Sequence, residues 1–308
     1  MNLNELKSQL AHFGIRPNKT LGQNFLLSDE VIEKIIAAAD LKQTDTVLEI
    51  GPGLGVLTQE LADRAGLVLA IEKDRSIHGV LRKMFKNKKN VKVINDDALF
   101  FNPETYNLQP TTYKLIANIP YYITGKLLQN FLSLGAKPSL MVLLLQKEVA
   151  ERIAAKPGEM SILAVSVQFY ADPEIISIVS REDFYPKPDV DSAVVKIKIL
   201  DKPRFDVDEQ KFFQLVKIGF AGKRKQLQNN LQNFYSPPHE GELEGVAEQK
   251  DTATSPSPSS RGGELKPDHK KILESLNINP LARAQDLSLD DWARLYKVLI
   301  DNQKPAGV

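Results

Sequence analysis

The sequence predicts an α/β fold: a doubly wound, mostly parallel sheet with an antiparallel edge strand, followed by a small all-helical domain. Three observations predict it. Five short apolar runs alternate with helical patterns between residues 46 and 145, a glycine-rich loop closes the first run, and the pattern turns helical after Lys202-Pro203. Strands separated by helices build parallel sheets, because each crossover helix must cover a face of the sheet.

Taken in order, Ser28 is placed to cap a helix that carries Val31, Ile32, Ile35 and Ile36 on one face. Strands are expected at 46–50, 67–71, 91–94, 113–117 and 140–145, with helices at 54–64, 77–85 and 124–134. Two later runs, 175–180 and 193–200, leave little room for a helix between them and are expected to pair antiparallel at the sheet edge. Helices then follow at 209–220, 223–234, 270–276 and 289–300, the last opening on Ser288 and Asp291 in a capping-box arrangement. The expected domains are therefore 1–202 and 203–308.

Residues 236–265 interrupt the second domain. They hold Pro-Pro, Ser-Pro-Ser-Pro and Gly-Gly with almost no large apolar side chain, so the segment is expected to be a disordered insertion. It carries six acids against two bases, which leaves the rest of the chain at +5 rather than the +1 of the whole.

With 308 residues, 42% of them apolar, the chain can bury a substantial core. No apolar run approaches the ~20 residues that span a bilayer, and the polar N-terminus lacks the centre of a signal peptide. A cytoplasmic location is expected. The absence of cysteine excludes disulfides, thiolate metal sites, iron–sulfur clusters and a thiol nucleophile. The four histidines, His12, His78, His239 and His269, are far apart, so no metal is expected. Basic residues cluster twice, at Arg82, Lys83, Lys86, Lys88, Lys89 and Lys92, and at Lys223, Arg224 and Lys225. Either run alone reads as a solvated helix face; two runs beside a base-binding motif point to a polyanion such as nucleic acid.

That motif is Asn118-Ile119-Pro120-Tyr121, at the end of the fourth apolar run, where an amide, a fixed turn and a ring can grip the amino group of a planar base. Upstream, Gly51, Gly53 and Gly55 lie between the first strand and its helix, allowing a tight turn and close approach of backbone to a ligand. Glu72 follows the second strand, about 20 residues on, where a carboxylate accepts from ribose hydroxyls. Asp97 follows the third, placed to accept from an adenine amino group. The layout suits NAD or S-adenosylmethionine. The amino-group clamp favours the second, since hydride transfer has no use for it.

The chain resembles the ribosomal RNA adenine dimethyltransferases, from about residue 19 to 231 and again from 270. The matching stretches are LGQNFL at 21–26, EIGPGLG at 49–55, NIPY at 118–121, QKEVAER at 146–152 and FYPKPDVDS at 184–192. The sequence departs from the family pattern at Asp96, Gly222 and Gln285, where Gly, Gln and Glu are usual. The resemblance implies a Rossmann-like methyltransferase sheet that binds S-adenosylmethionine through Asn24, Leu26, Gly51, Gly53, Glu72, Asp97 and Asn118. It further implies that Asn118 and the Ile119 carbonyl accept from the adenine N6 amino group, and that Tyr121 and Phe184 stack on the flipped base. Tyr122 and Tyr185 read as packing residues. Lys223, Arg224 and Lys225 are expected to contact RNA. The expected product is N6,N6-dimethyladenosine at two adjacent adenosines near the 3′ end of 16S rRNA, made in the small ribosomal subunit or its precursor by a monomer. Two alternatives stand beside it: a 23S rRNA adenine methyltransferase of the antibiotic-resistance type, and a non-catalytic RNA-binding or transcription factor on the same fold.

Overall fold

The computed structural model describes residues 2–133, 135–232 and 268–300; the segment 236–265, expected to be disordered, lies outside them. The chain divides into two compact units, 1–206 and 207–308.

The first unit begins with helix α1 (Leu3–His12), which turns Leu6 and Leu10 into a cluster with Phe25, Leu54, Ile77, Leu81 and Phe85. A strap follows, carrying the two-residue strand β1 (Phe25–Leu26). Helix α2 (Asp29–Ala39) starts at Ser28, whose side chain accepts from the Val31 amide. It ends at Asp40 in the left-handed region, where the Lys114 ammonium bonds the carbonyls of Ala39 and Asp40 and pairs with Asp45. A cation at a helix C-terminus satisfies carbonyls that have no partner within the helix.

The sheet then builds through β2 (Thr46–Ile50), α3 (Val56–Arg64), β3 (Leu67–Glu72), α4 (Arg75–Met84), β4 (Val91–Asn95), β5 (Tyr113–Asn118), α5 (Thr124–Ser133) and β6 (Leu140–Gln146). Two short helices, α6 (Lys147–Ile153) and α7 (Ile162–Gln168), lead into β7 (Ala171–Val179), β8 (Phe184–Tyr185) and β9 (Ser192–Ile199). The order across the seven-stranded sheet is β4-β3-β2-β5-β6-β9-β7. Strands β2 to β6 are parallel, and β9 runs antiparallel to both β6 and the edge strand β7. Strand β6 is buried at every residue but its last, as expected of a strand covered on both faces.

The chain steps outward from β2 to β4 on one side and resumes at β5 on the other. Ligands of open α/β sheets bind at such a reversal, beyond the carboxyl ends of the strands. Gly51 and Asn118 therefore meet there, because Ile50 of β2 is paired with Ala117 of β5.

The second unit contains α8 (Glu209–Gly219), α9 (Leu227–Leu231), α10 (His269–Ser275) and α11 (Leu289–Leu299). Trp292, fully buried, lies against Gly219, where a Cβ would come within 2.3 Å of its ring. The helix expected from residue 223 begins only at Leu227. Residues 223–226 form a turn instead, because Asn230 Nδ2 bonds the carbonyls of Gly219 and Gly222 and holds that backbone folded back.

Candidate active site

A cavity opens above β2 and β5. Its floor is the glycine turn after β2, and Gly51, Gly53 and Gly55 all have positive φ, the region that disfavours side chains. Space reinforces the choice at Gly51, where a Cβ would sit 3.0 Å from the Asn118 carbonyl oxygen. The turn also lies at the N-terminus of α3, whose first amides have no partner within the helix.

One end of the cavity is acidic. Glu72, 8% exposed, takes the Asp74 amide on Oε1 at 2.7 Å and keeps further lone pairs. Burial raises its carboxyl to about 7, against the lowering effect of that bond. Asp97 Oδ2 pairs with Lys73 at 2.9 Å, and Oδ1 accepts from the Leu99 amide. Partial burial pushes the Asp97 carboxyl up, but these two donors outweigh it and hold it below the ordinary value.

Glu49 also lines the cavity, is 1% exposed, and no hydrogen bond reaches either carboxyl oxygen. Burial raises it to about 8; the nearby Thr58 hydroxyl draws it down, without completing hydrogen-bond geometry, and the Glu72 charge adds to the rise. A buried carboxyl with no donor is costly unless a ligand supplies one. The sequence reading missed it because a Glu inside an apolar strand looks like part of the glycine motif's framework.

The opposite wall is the clamp. Asn118 Nδ2 donates to the Asn24 carbonyl at 3.1 Å, and since a carbonyl only accepts, this fixes the amide's orientation and leaves Oδ1 as its acceptor end. Ile119, Pro120 and Tyr121 continue this wall. The Tyr121 hydroxyl shares a hydrogen bond with Ser192 Oγ at 2.8 Å.

The strap closes the top with Asn24 and Leu26. It is tied down by Gln23, whose Nε2 donates to Asp74 Oδ2 at 3.1 Å and whose Oε1 accepts from the Asn18 amide. It is also paired through β1 to β8, with Leu26 opposite Phe184. Gln23 appeared in the sequence analysis only as part of the stretch LGQNFL, and Asp74 was not singled out there. Asp74 also caps α4, which was the only signal it gave.

Two expectations change. Phe184 is not brought to the cavity: its ring is 4% exposed and packs in the core against α2, β6 and β9. The apolar residues of that core cluster decide this. Tyr122, expected as a packing residue, is 61% exposed at the cavity mouth, its ring over Gly22.

In the second unit, Lys223, Arg224 and Lys225 are all exposed on the turn that Asn230 holds. At Gly222, which departs from the family pattern, a Cβ would lie 2.9 Å from Asn230 Oδ1.

This arrangement can hold a nucleoside with an amino-acid tail and present an amide acceptor beside it. Comparison with known proteins agrees with that chemistry. The model of the family described as ribosomal RNA adenine dimethylase matches residues 14–256. The chain belongs to this family. Members use S-adenosylmethionine as methyl donor. A family relative from Dehalococcoides mccartyi, named ribosomal RNA small subunit methyltransferase A, is 41% identical over 292 residues, 94% of this chain and 91% of its own. Among solved structures, a dimethyladenosine transferase from Plasmodium falciparum superposes with a TM-score of 0.68 at 26% identity, covering 88% of this chain and 95% of its own. A 23S rRNA methyltransferase superposes equally well, at 0.68 and 25% identity, covering 89% and 98%.

The residues present fit the family's cofactor. The glycine turn leaves no room for side chains where a ligand must approach, Glu72 retains acceptor capacity for hydroxyls, and the unpartnered Glu49 carboxyl suits a cationic donor. Among the described residues, no helix is long and apolar enough to cross a membrane.

Proposed function

We propose that this protein methylates the N6 amino groups of two adjacent adenosines near the 3′ end of 16S rRNA, giving N6,N6-dimethyladenosine in the small subunit or its precursor. The observation that carries the reading is the fixed amide of Asn118, its acceptor end exposed beside a cofactor cleft. The 41% identity to a small-subunit enzyme favours this substrate over the 23S alternative, whose representative shares 25%.

Bound S-adenosylmethionine supplies an electrophilic methyl on a sulfonium. The chain's residues do the rest. Gly51 and Gly53 would line the methionine part, with Asn24 and Leu26 closing over the methionine and adenosine parts. Glu72 would accept from the ribose, and Asp97 from the adenine. An exocyclic amino nitrogen is a poor nucleophile because its lone pair is delocalised into the ring. Asn118 Oδ1 and the Ile119 carbonyl would accept its two N–H bonds and draw it toward tetrahedral geometry, freeing its lone pair for bonding. Orientation and preorganised dipoles carry the step rather than a strong base. The proton released after transfer leaves through the same acceptors. Pro120 fixes the turn so that Tyr121 stacks on the base, which must first leave its own stack.

Lys223, Arg224 and Lys225 supply phosphate contacts from the helical domain, whose role is to bind the ribosomal RNA. We further propose a cytoplasmic monomer that works without a metal ion, in keeping with a chain that has no cysteine and four scattered histidines. The test is methylation of unmodified small subunits with labelled cofactor, followed by primer extension on both rRNAs. Stops at adjacent 16S adenosines are expected; label confined to 23S rRNA would overturn the reading.

A further inference from the structure

We propose that Ser192 is a positioning residue, which sets the pitch of the Tyr121 ring and through it the efficiency of the second methyl transfer. The proposal rests on the reading of Tyr121 as the stacking wall. Ser192 is fully buried at the start of β9, followed by Ala193, Val194 and Val195, all buried as well. Its backbone is held on both sides, paired with Gln146 of β6 and with Val179 of β7. A buried hydroxyl in such apolar company costs stability unless it is bonded. Its side chain shares a hydrogen bond with the Tyr121 hydroxyl at 2.8 Å.

Tyr121 belongs to a short 3₁₀ turn, Tyr121–Ile123, that follows β5, and β6 lies between β5 and β9 in the sheet. The hydrogen bond therefore spans from the clamp to the antiparallel part of the sheet. It fastens the ring at the end opposite its Cα, so the ring is fixed at two points and its swing about the side-chain torsions is blocked. Geometry of this kind matters because small misplacements of reacting groups cost large factors in rate.

The second transfer depends on it more than the first. An unmodified amino group offers two N–H bonds to Asn118 and Ile119. A monomethylated one offers a single N–H, so its orientation rests more heavily on the stacking wall. Loosening that wall therefore penalises the second step selectively.

The experiment uses the full-length chain, unmodified small subunits and labelled S-adenosylmethionine, with mono- and dimethyladenosine quantified after digestion. Ser192→Ala should lower kcat about tenfold, leave cofactor affinity unchanged and raise the share of monomethyl product. Tyr121→Phe, which removes the same bond without opening a cavity in the sheet, should behave alike. The double variant should be no worse than either single one, and Ser192→Thr should restore the product ratio. Wild-type kcat and product ratio in both single variants would overturn the proposal, as would losses that multiply in the double variant. Full activity of Tyr121→Ala would instead sink the stacking reading beneath it, so the two failures are distinguishable.

Discussion

Replacing Asn118 by Ala should separate catalysis from cofactor binding. The side chain has two ends with different tasks. Its Nδ2 bonds the Asn24 carbonyl at 3.1 Å and so steadies the strap over the cofactor. A neutral hydrogen bond of this kind contributes about 0.5–1.5 kcal/mol net. At about 1.4 kcal/mol per factor of ten, losing it weakens cofactor binding by roughly two- to twelvefold. Its Oδ1 is the acceptor that draws charge onto the reacting nitrogen. Preorganised groups facing a developing charge are worth on the order of 10²–10³ in rate. Single-turnover methylation should therefore fall at least about a hundredfold, while calorimetry shows a cofactor affinity within about tenfold of wild type. Asn118→Asp keeps an acceptor but loses the donor and sets a carboxylate against the Asn24 oxygen, so it should bind cofactor less well than Ala does and retain more turnover per bound cofactor. A rate within tenfold of wild type for Asn118→Ala would refute the mechanism. An affinity loss larger than the rate loss would make Asn118 a cofactor ligand alone.

Glu72, raised to about 7 by burial, should make cofactor binding pH-dependent. The ribose hydroxyls need the carboxylate, so affinity should weaken below pH 7, approaching about tenfold per unit, and Glu72→Gln should flatten the profile; a wild-type affinity constant from pH 5.5 to 8 would remove Glu72 from the site. Glu49 bears on the stability of the cofactor-free protein. Its folded pKa of about 8 lies above the ordinary 4.5, so its contribution to stability is full below 4.5 and is lost as pH rises through 8. Urea unfolding should therefore show Glu49→Gln gaining on wild type between pH 5 and 9, and parallel profiles would contradict the burial argument. Lys223→Ala with Arg224→Ala should weaken subunit binding and reduce its salt slope by nearly one per lost phosphate contact, with cofactor affinity unaltered; an unchanged slope would make these charges a solvated face.

The parallel half of the sheet was legible because its strands are continuous apolar runs between caps and glycines: β2 is found at Thr46–Ile50 as expected, and Ser28 caps α2. The glycine turn and the acids at the ends of β3 and β4 follow from that framework, since strand order alone brings them to one edge. What stayed hidden depends on tertiary contact. Helices α6 and α7 have seven residues each, too short for a periodic pattern to stand out. Strands β1 and β8 have two residues apiece and exist only through each other. The turn at Lys223 reads as helix until Asn230, seven residues on, is seen holding the carbonyls of Gly219 and Gly222. Ser192 gives no local sign of its role, because its partner lies 71 positions away. Phe184 looked like a base platform by resemblance, and the burial of β8 was not readable from its Pro-rich neighbours.

The ladder between β1 and β8 has a consequence for how two methyl groups reach one nitrogen. Spent cofactor must leave and fresh cofactor enter between the transfers, and the strap stands in the way. Lifting it parts Phe25 and Leu26 from Tyr185 and Phe184 and undoes the Leu27 amide bond to the Asp183 carbonyl. One border of the cofactor cleft is thus laced to β8, a segment far along the chain. A strap that moved for cofactor exchange would either carry β8 with it or break from it.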